Sequence, residues 1–494
     1  MIAPLKQPPH IDADSPRRLE AAAAAADVFS FRSQRGAWLA AALGFFCLMP
    51  YAAITVGNRS SMQVGNVLTL LMAMPALLAS WRQRTMWVFP LLIAPLVVGT
   101  FKVALANDGD LSLSIKTTLV LAMACLTIVA TQLYAPSFFL SLLTGLAVAT
   151  LVHFVVGVVQ WVAFSRGEFP LLWMYQNESF LSVQENADTI AKYTQRPFGI
   201  FPEPSAMSSS LAPWVLFWIA HLCGIIRLRR QPARWQNVLF GAAAVAGLAL
   251  IILSRSGHSA ITMAAVLVFG VIWFVRCRAT PQTFAVLVGV FGVALPVVLY
   301  FAAMQLADRL GGGASNMGNS SWEERSDSLR IGFQLLVDGT LATLVFGIGP
   351  GLTSPILQHV YRLEAVWSVS LTYIYETGLV GVAAVGWVGA YLLRTWKSLR
   401  FDVAFVAITL VWLVGITITT SYYELLSLWL TLGWLTVWPQ ICEPAAARTS
   451  WQPGFAVFRQ PAPAKRRRPR LALSRPTLPA PSDKQLPRRP WTEN

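Results

Sequence analysis

An all-α, polytopic membrane fold is what this chain predicts, on three observations. Apolar runs recur along most of its 494 residues, which are 55% hydrophobic with a mean hydropathy of +0.55. Charged residues make up only 12%. Lys and Arg collect in alternate short connections, as in WRQRT at 81–85, RLRRQPARWQ at 227–236, RCR at 276–278 and RTWKSLR at 394–400. A run of about 20 apolar residues crosses a ~30 Å hydrocarbon core, and basic short loops mark the cytoplasmic side.

Taken in order, residues 1–36 form a polar leader with an alanine run at 21–26, expected to be cytoplasmic and uncleaved because no apolar core lies close to the N-terminus. Spans are expected at 37–56, 64–80, 86–105, 113–133, 137–164, 206–226, 237–253, 259–275, 282–304, 366–393, 402–420 and 424–440, about 12 transmembrane helices in a membrane domain at 37–440. Residues 441–494 form a basic, proline-rich tail, expected to be cytoplasmic and disordered, where KRRRPR suits anionic headgroups. The net charge of +15 is thus accounted for by anchoring loops and tail, and calls for no nucleic acid. The five cysteines, Cys47, Cys125, Cys223, Cys277 and Cys442, sit in or beside spans at no metal-ligand spacing and read as packing residues.

Two outward segments are long enough to build a site, at about 165–205 and 305–366. The first ends in RPFGIFPEPS, residues 196–205, which carries Arg196 and Glu203 to the edge of hydrocarbon. Charge there is costly and is expected to have a partner. The guanidinium of Arg196 suits an oxyanion such as phosphate, and the alternative is an interfacial arginine paired to Glu203. Glu203, between Pro202 and Pro204, reads as a general base, an orienting acceptor, or that salt-bridge partner. Arg255, in SRSGHS, falls on the same side against the positive-inside bias, and reads as a second phosphate ligand. His258 reads as a residue bonded to a carbonyl or helix end. In the second segment WEERSDSLRIGFQLLVDG reads as a surface-lying amphipathic helix, with Leu329, Phe333 and Leu336 on one face and Arg330 as a third phosphate or sugar contact. His359, beyond the FGIGPG turn, is a candidate for proton transfer. The Asp108 and Asp110 pair is a weak metal signal, and no metal or cofactor is expected.

These motifs, in this order and on this side, resemble the bacterial O-antigen polymerase and O-antigen ligase superfamily (Wzy/WaaL). The similarity covers most of the membrane region, through FGIGPG to YETGLVG at 375–381. It implies a metal-independent, GT-C-like glycosyltransferase whose two outward loops form the site. The donor would be a glycan on undecaprenyl pyrophosphate, with its phosphates on the arginines matching Arg196 and Arg255. It also implies an inner-membrane protein with a periplasmic site and both termini cytoplasmic, working with membrane lipid, a chain-length regulator and a flippase. Ligases carry a His-Asn pair about nine residues before the glutamate that matches Glu376, where this chain has Trp367 and Ser368. That departure, with the GIFPEPS form, favours an exopolysaccharide or capsular polymerase over a ligase acting on lipid A core. A polysaccharide transporter is the reading from another class, and it would place polar groups inside the spans.

Overall fold

The computed structural model describes residues 34–443 except 56–60, 81–87, 107–109, 176–195, 277–326, 328–329, 362–367, 400–401, 420–421 and 423. The leader up to residue 33, the span expected at 282–304 and the tail after 443 lie outside the described residues.

The described chain is mostly helical. In order come α1 (Gln34–Cys47), a hairpin of β1 (Ala53–Thr55) and β2 (Ser61–Gln63), α2 (Val64–Ser80), α3 (Val88–Ala106), α4 (Leu111–Phe164), α5 (Pro204–Leu222), α6 (Arg234–Leu253) and α7 (Gly257–Arg276). The short α8 (Leu341–Phe346) and α9 (Thr353–Ile356) precede α10 (Val369–Ser398), α11 (Val403–Val414), α12 (Leu426–Thr436) and α13 (Trp438–Ile441). Among the described residues α3, α4, α6 and α10 are long and apolar enough to cross a membrane, and shorter apolar helices lie in α1, α2, α7, α11 and α12.

Several expected boundaries shift. The first span was drawn to residue 56, but α1 stops at Cys47, just ahead of Pro50, and the chain turns into the antiparallel hairpin that pairs Ala53 with Gln63. A residue before proline avoids the helical region, and proline has no N–H to continue the ladder. The spans drawn at 113–133 and 137–164 are one 54-residue helical run, interrupted at Phe138 (φ −124°, ψ 24°) two residues after Pro136. A straight helix of that length would measure about 80 Å, more than twice a bilayer core. Its two far ends meet the same set of loops, Ser114 at Pro350 and Gln160 at Gly199, whereas the break at Ser137 meets the basic loop at Arg230. The two halves therefore run back to back as separate helices.

The same contacts sort the helix ends into two rims. At one, the hairpin residue Gln63 donates to the Glu424 carbonyl (3.2 Å), and Ser208 at the start of α5 pairs with Ser254 at the end of α6 (2.8 Å). At the other, Arg229 donates to the Pro439 carbonyl (3.1 Å), Leu228 pairs with Cys442, and Arg227 meets Glu443 at 3.5 Å. Between the rims α5 is buried without a break from Ala206 to Trp218. A helix covered on every side belongs in the middle of a bundle. Its Trp214 stacks on Trp434 of α12 (centroids 4.7 Å), which also meets Phe217 edge-on (4.9 Å).

The closest crossing joins α1 to the second half of α4, where Gly44 and Gly145 each face the partner's backbone so tightly that a Cβ would overlap a carbonyl. Small residues at such a crossing let backbones approach where hydrocarbon supplies no drive to associate. Helices α10, α11 and α12 instead leave an apolar cavity of about 560 Å³ between them, running from Val369 and Ser370 near the Arg196 rim to Trp396 and Phe405 near the other.

The amphipathic segment is helical at 330–337, and its buried face agrees with the expected one at Leu336 but not at Phe333. Ile331 and Leu336 are buried with Tyr375, and Gly332 lies against the Tyr375 ring, while Phe333 is 64% exposed. Leu329 lies outside the described residues.

Replacing Gly145 with valine is expected to push α1 from α4 and to cost about 1–3 kcal/mol, as over-packed interiors do. A thermal melt of the detergent-solubilised full chain reads this directly, and an unchanged midpoint would show that the crossing is not tight.

Candidate active site

Residues 196–203 re-enter the bundle as a non-helical turn, and a turn at that depth must find partners for its backbone. Gln160 of α4 supplies most of them. Its Oε1 accepts from the amides of Phe198 (3.0 Å) and Gly199 (2.9 Å), and its Nε2 donates to the Gly199 carbonyl (3.0 Å) and to the Tyr175 hydroxyl (2.6 Å). All four hydrogen-bonding positions of the side-chain amide are thereby used. The Tyr175 hydroxyl donates in turn to the Gly199 carbonyl. Burial holds that phenol far above its ordinary pKa, so it remains a donor.

Two helical turns earlier, His153 fixes the rest of the segment. Its Nε2 bonds the Leu48 carbonyl (2.7 Å), and the amide of Ile200 donates to its Nδ1 (3.0 Å). This pattern assigns the proton to Nε2. The ring packs on Phe201 (centroids 4.6 Å). Gly199 has φ +57°, and a Cβ there would come within 2.8 Å of His153 Nδ1, so both backbone and space ask for glycine.

The clamp delivers Arg196, half-buried at its start, and Glu203, half-buried at the N-cap of α5, to the same rim. Ser205 donates to the Glu203 carboxylate. Tyr51, stacked edge-on against Tyr175 at 4.8 Å, is held protonated by burial first, then by the charges of Tyr422, Tyr175 and Glu203 close by. One turn into α5, the Ser208–Ser254 pair docks this segment against the α6–α7 connection. Arg255 forms the tip of that connection, exposed and with φ +47°. The left-handed conformation costs a non-glycine residue about 1–2 kcal/mol, and strain of this kind gathers at functional sites.

The other candidates are placed differently. Arg330 is exposed and pairs with Asp327 at 3.0 Å. His359 belongs to a π-helical turn, Leu357–Tyr361, and its side chain lies outside the described residues. His258, expected to satisfy a carbonyl or helix end, is fully buried, and neither ring nitrogen has a hydrogen-bond partner among the described residues. Asp110 caps α4 by accepting from the Leu113 amide (3.0 Å), and Asp108 lies outside the described residues. Of the described cysteines, Cys47, Cys125 and Cys442 are buried.

A second clamp holds the FGIGPG turn. The amides of Ile348 and Gly349 donate to the carbonyls of Tyr375 (2.9 Å) and Glu376 (3.2 Å), and Ser114 donates to the Pro350 carbonyl (2.8 Å). The buried Glu376 carboxylate faces the amides of Gly351 and Thr353, with Glu424 within electrostatic reach. Lys102 donates to the Ile348 carbonyl at 3.4 Å, and Lys116 acts on Glu424. Sequence reasoning missed Lys102 and Lys116, although both break the positive-inside bias as Arg255 does. It also missed His153 and Gln160. These two stand seven residues apart in α4, on one helix face.

Compared with known proteins, the chain matches no family model, no curated protein and no solved structure.

Gln160→Leu is expected to strand the amides of Phe198 and Gly199, each buried unsatisfied group costing about 1–3 kcal/mol. Limited proteolysis of the full chain should then cut within 196–203 while the α1–α4 crossing stays protected; a wild-type digestion pattern would remove Gln160 from its role. Gly199→Ala is expected to open the same segment through strain and its clash with His153.

Proposed function

We propose that this chain is a membrane glycosyltransferase that polymerises lipid-linked polysaccharide repeat units. The observation that carries the reading is the docking of the clamped RPFGIFPEPS segment onto the strained SRSG turn through Ser208 and Ser254. It gives Arg196 and Arg255 to one rim at the edge of the apolar bundle, where a membrane-anchored oxyanion would lie. A guanidinium offers a planar fork to phosphate, and each charge-assisted hydrogen bond contributes about 1.5–3 kcal/mol.

In the proposed reaction a hydroxyl at the non-reducing end of a newly delivered unit attacks the anomeric carbon of the growing glycan. The bond from that carbon to the pyrophosphate oxygen breaks, and polyprenyl pyrophosphate leaves with the electron pair. Arg196 and Arg255 stabilise the charge gathering on the leaving group. Glu203 takes the hydroxyl proton, with Ser205 holding its carboxylate in place; His359 is the alternative base. Arg330 would touch sugar or phosphate beyond the immediate site. The apolar cavity between α10, α11 and α12 suits the polyprenyl tail, being lined almost wholly by apolar atoms and reaching Val369 and Ser370 near this rim. Tyr175 is spent on the clamp and cannot stack on sugar, whereas Trp173 is 68% exposed and can.

The donor is taken to be an undecaprenyl-pyrophosphate-linked oligosaccharide. The Arg196 rim faces the periplasm, and the arginine-rich rim at 227–234 faces the cytoplasm of a bacterial inner membrane. A flippase delivering units and a chain-length regulator are the partners this chemistry requires.

Arg196→Ala and Arg255→Ala are each expected to leave single lipid-linked units accumulating in a deletion strain, with long polymer absent on electrophoresis. Arg255→Gly separates strain from chemistry. It should leave stability unchanged or raise it by about 1 kcal/mol, yet lose polymer as completely as alanine. Full-length polymer in both alanine variants would sink the proposal, and long polymer kept on its carrier lipid would mean a ligase.

A further inference from the structure

At the rim opposite the candidate active site, the break in α4 opens a pocket of about 140 Å³ between Pro136, Phe139, Leu140, Ile441 and the side chains of Arg229 and Arg230. Both guanidinium groups are aimed by the backbone. Arg229 Nε donates to the Pro439 carbonyl at 3.1 Å, and Arg230 Nη1 donates to the Ser137 carbonyl beside the break. Each of these contacts uses one of the five donors that a guanidinium carries. Most of the remaining wall is apolar, with Gln440 the one other polar side chain on it, and the loop bears further arginines at 227, paired to Glu443, and at 234. The helix ends gathered here place the pocket at the boundary between hydrocarbon and water.

We infer that this pocket binds the phosphodiester of one anionic glycerophospholipid, with the head of its acyl chains against Phe139 and Leu140. Charge selects the phosphate and the local excess of arginine favours a net negative headgroup. The apolar side chains beside the arginines favour a lipid over a free anion, which would leave the partly exposed Pro136 and Leu140 facing water. The volume accommodates a phosphate group with its glycerol oxygens and little more. This inference stands independently of the glycosyltransferase reading, because the pocket lies at the other rim and shares no residue with it.

Native mass spectrometry of the delipidated full chain in detergent, titrated with phosphatidylglycerol, phosphatidylcholine or inorganic phosphate, tests it. One phosphatidylglycerol per chain is expected to bind more tightly than phosphatidylcholine, and inorganic phosphate is expected not to displace it. The double variant R229Q/R230Q should weaken phosphatidylglycerol about thirtyfold, at about 1 kcal/mol for each arginine. Glutamine keeps a donor for each carbonyl; should the double variant nevertheless fail to fold, L140W fills the pocket with both arginines intact and should lose the lipid as well. Undiminished phosphatidylglycerol binding in the folded variants would overturn the inference. So would displacement by inorganic phosphate at equal concentration, which would make the pocket a free-anion site.

Discussion

The amide of Gln160 stands where an apolar helix has to support a stretch of backbone that is neither helix nor sheet. Hydrocarbon tolerates such backbone only where protein satisfies its polar groups. Gln160 meets three backbone atoms of Phe198 and Gly199 and the Tyr175 hydroxyl, and His153 continues the support to Ile200. A glutamine left unpaired in a span would be a liability, as would the loop without it, so each is tolerable only with the other. That pairing fixes the turn that leads into α5, with Glu203 at its N-cap and Ser208 one turn on beside Ser254.

The Arg196 rim is built twice on one plan. A short turn descends among helix ends and hangs by its backbone from polar groups on neighbouring spans. In the first case these are Gln160 and His153; in the second, Ser114, Lys102 and the bent part of α10 at Tyr375 and Glu376. Side chains at the mouths of such turns lose little freedom when they bind, because packing has already fixed the backbone that carries them. The opposite rim is simpler, with arginines hydrogen-bonded to exposed carbonyls at helix ends and a single ion pair to Glu443 among the described residues.

Much of the bundle was legible because a bilayer demands a long apolar run for every crossing, and hydropathy reads such runs directly. The edges were less legible. Pro50 ends α1 early, and Pro136 permits a break in which only Phe138 leaves helical geometry. In the amphipathic segment Leu336 is buried as expected but Phe333 is not, because Gly332 lies against Tyr375, a contact 43 residues away that periodicity does not contain. At the candidate site Arg196, Glu203 and Arg255 drew notice as charges at the edge of hydrocarbon. The supports of the Arg196 segment, Gln160 and His153, are single polar residues in an apolar run. Only the turn they hold reveals their purpose, and that turn is distant in sequence.

The central claim is that the Arg196 rim recognises a lipid pyrophosphate. It is tested most directly by equilibrium binding of the purified full chain in lipid nanodiscs to undecaprenyl pyrophosphate and, separately, to undecaprenyl monophosphate. Two guanidinium groups spanning a pyrophosphate make at least one charge-assisted hydrogen bond more than a monophosphate can accept, so the pyrophosphate should bind about tenfold tighter or better. Equal affinity for the two lipids would mean that only the tail is recognised, and would contradict the account.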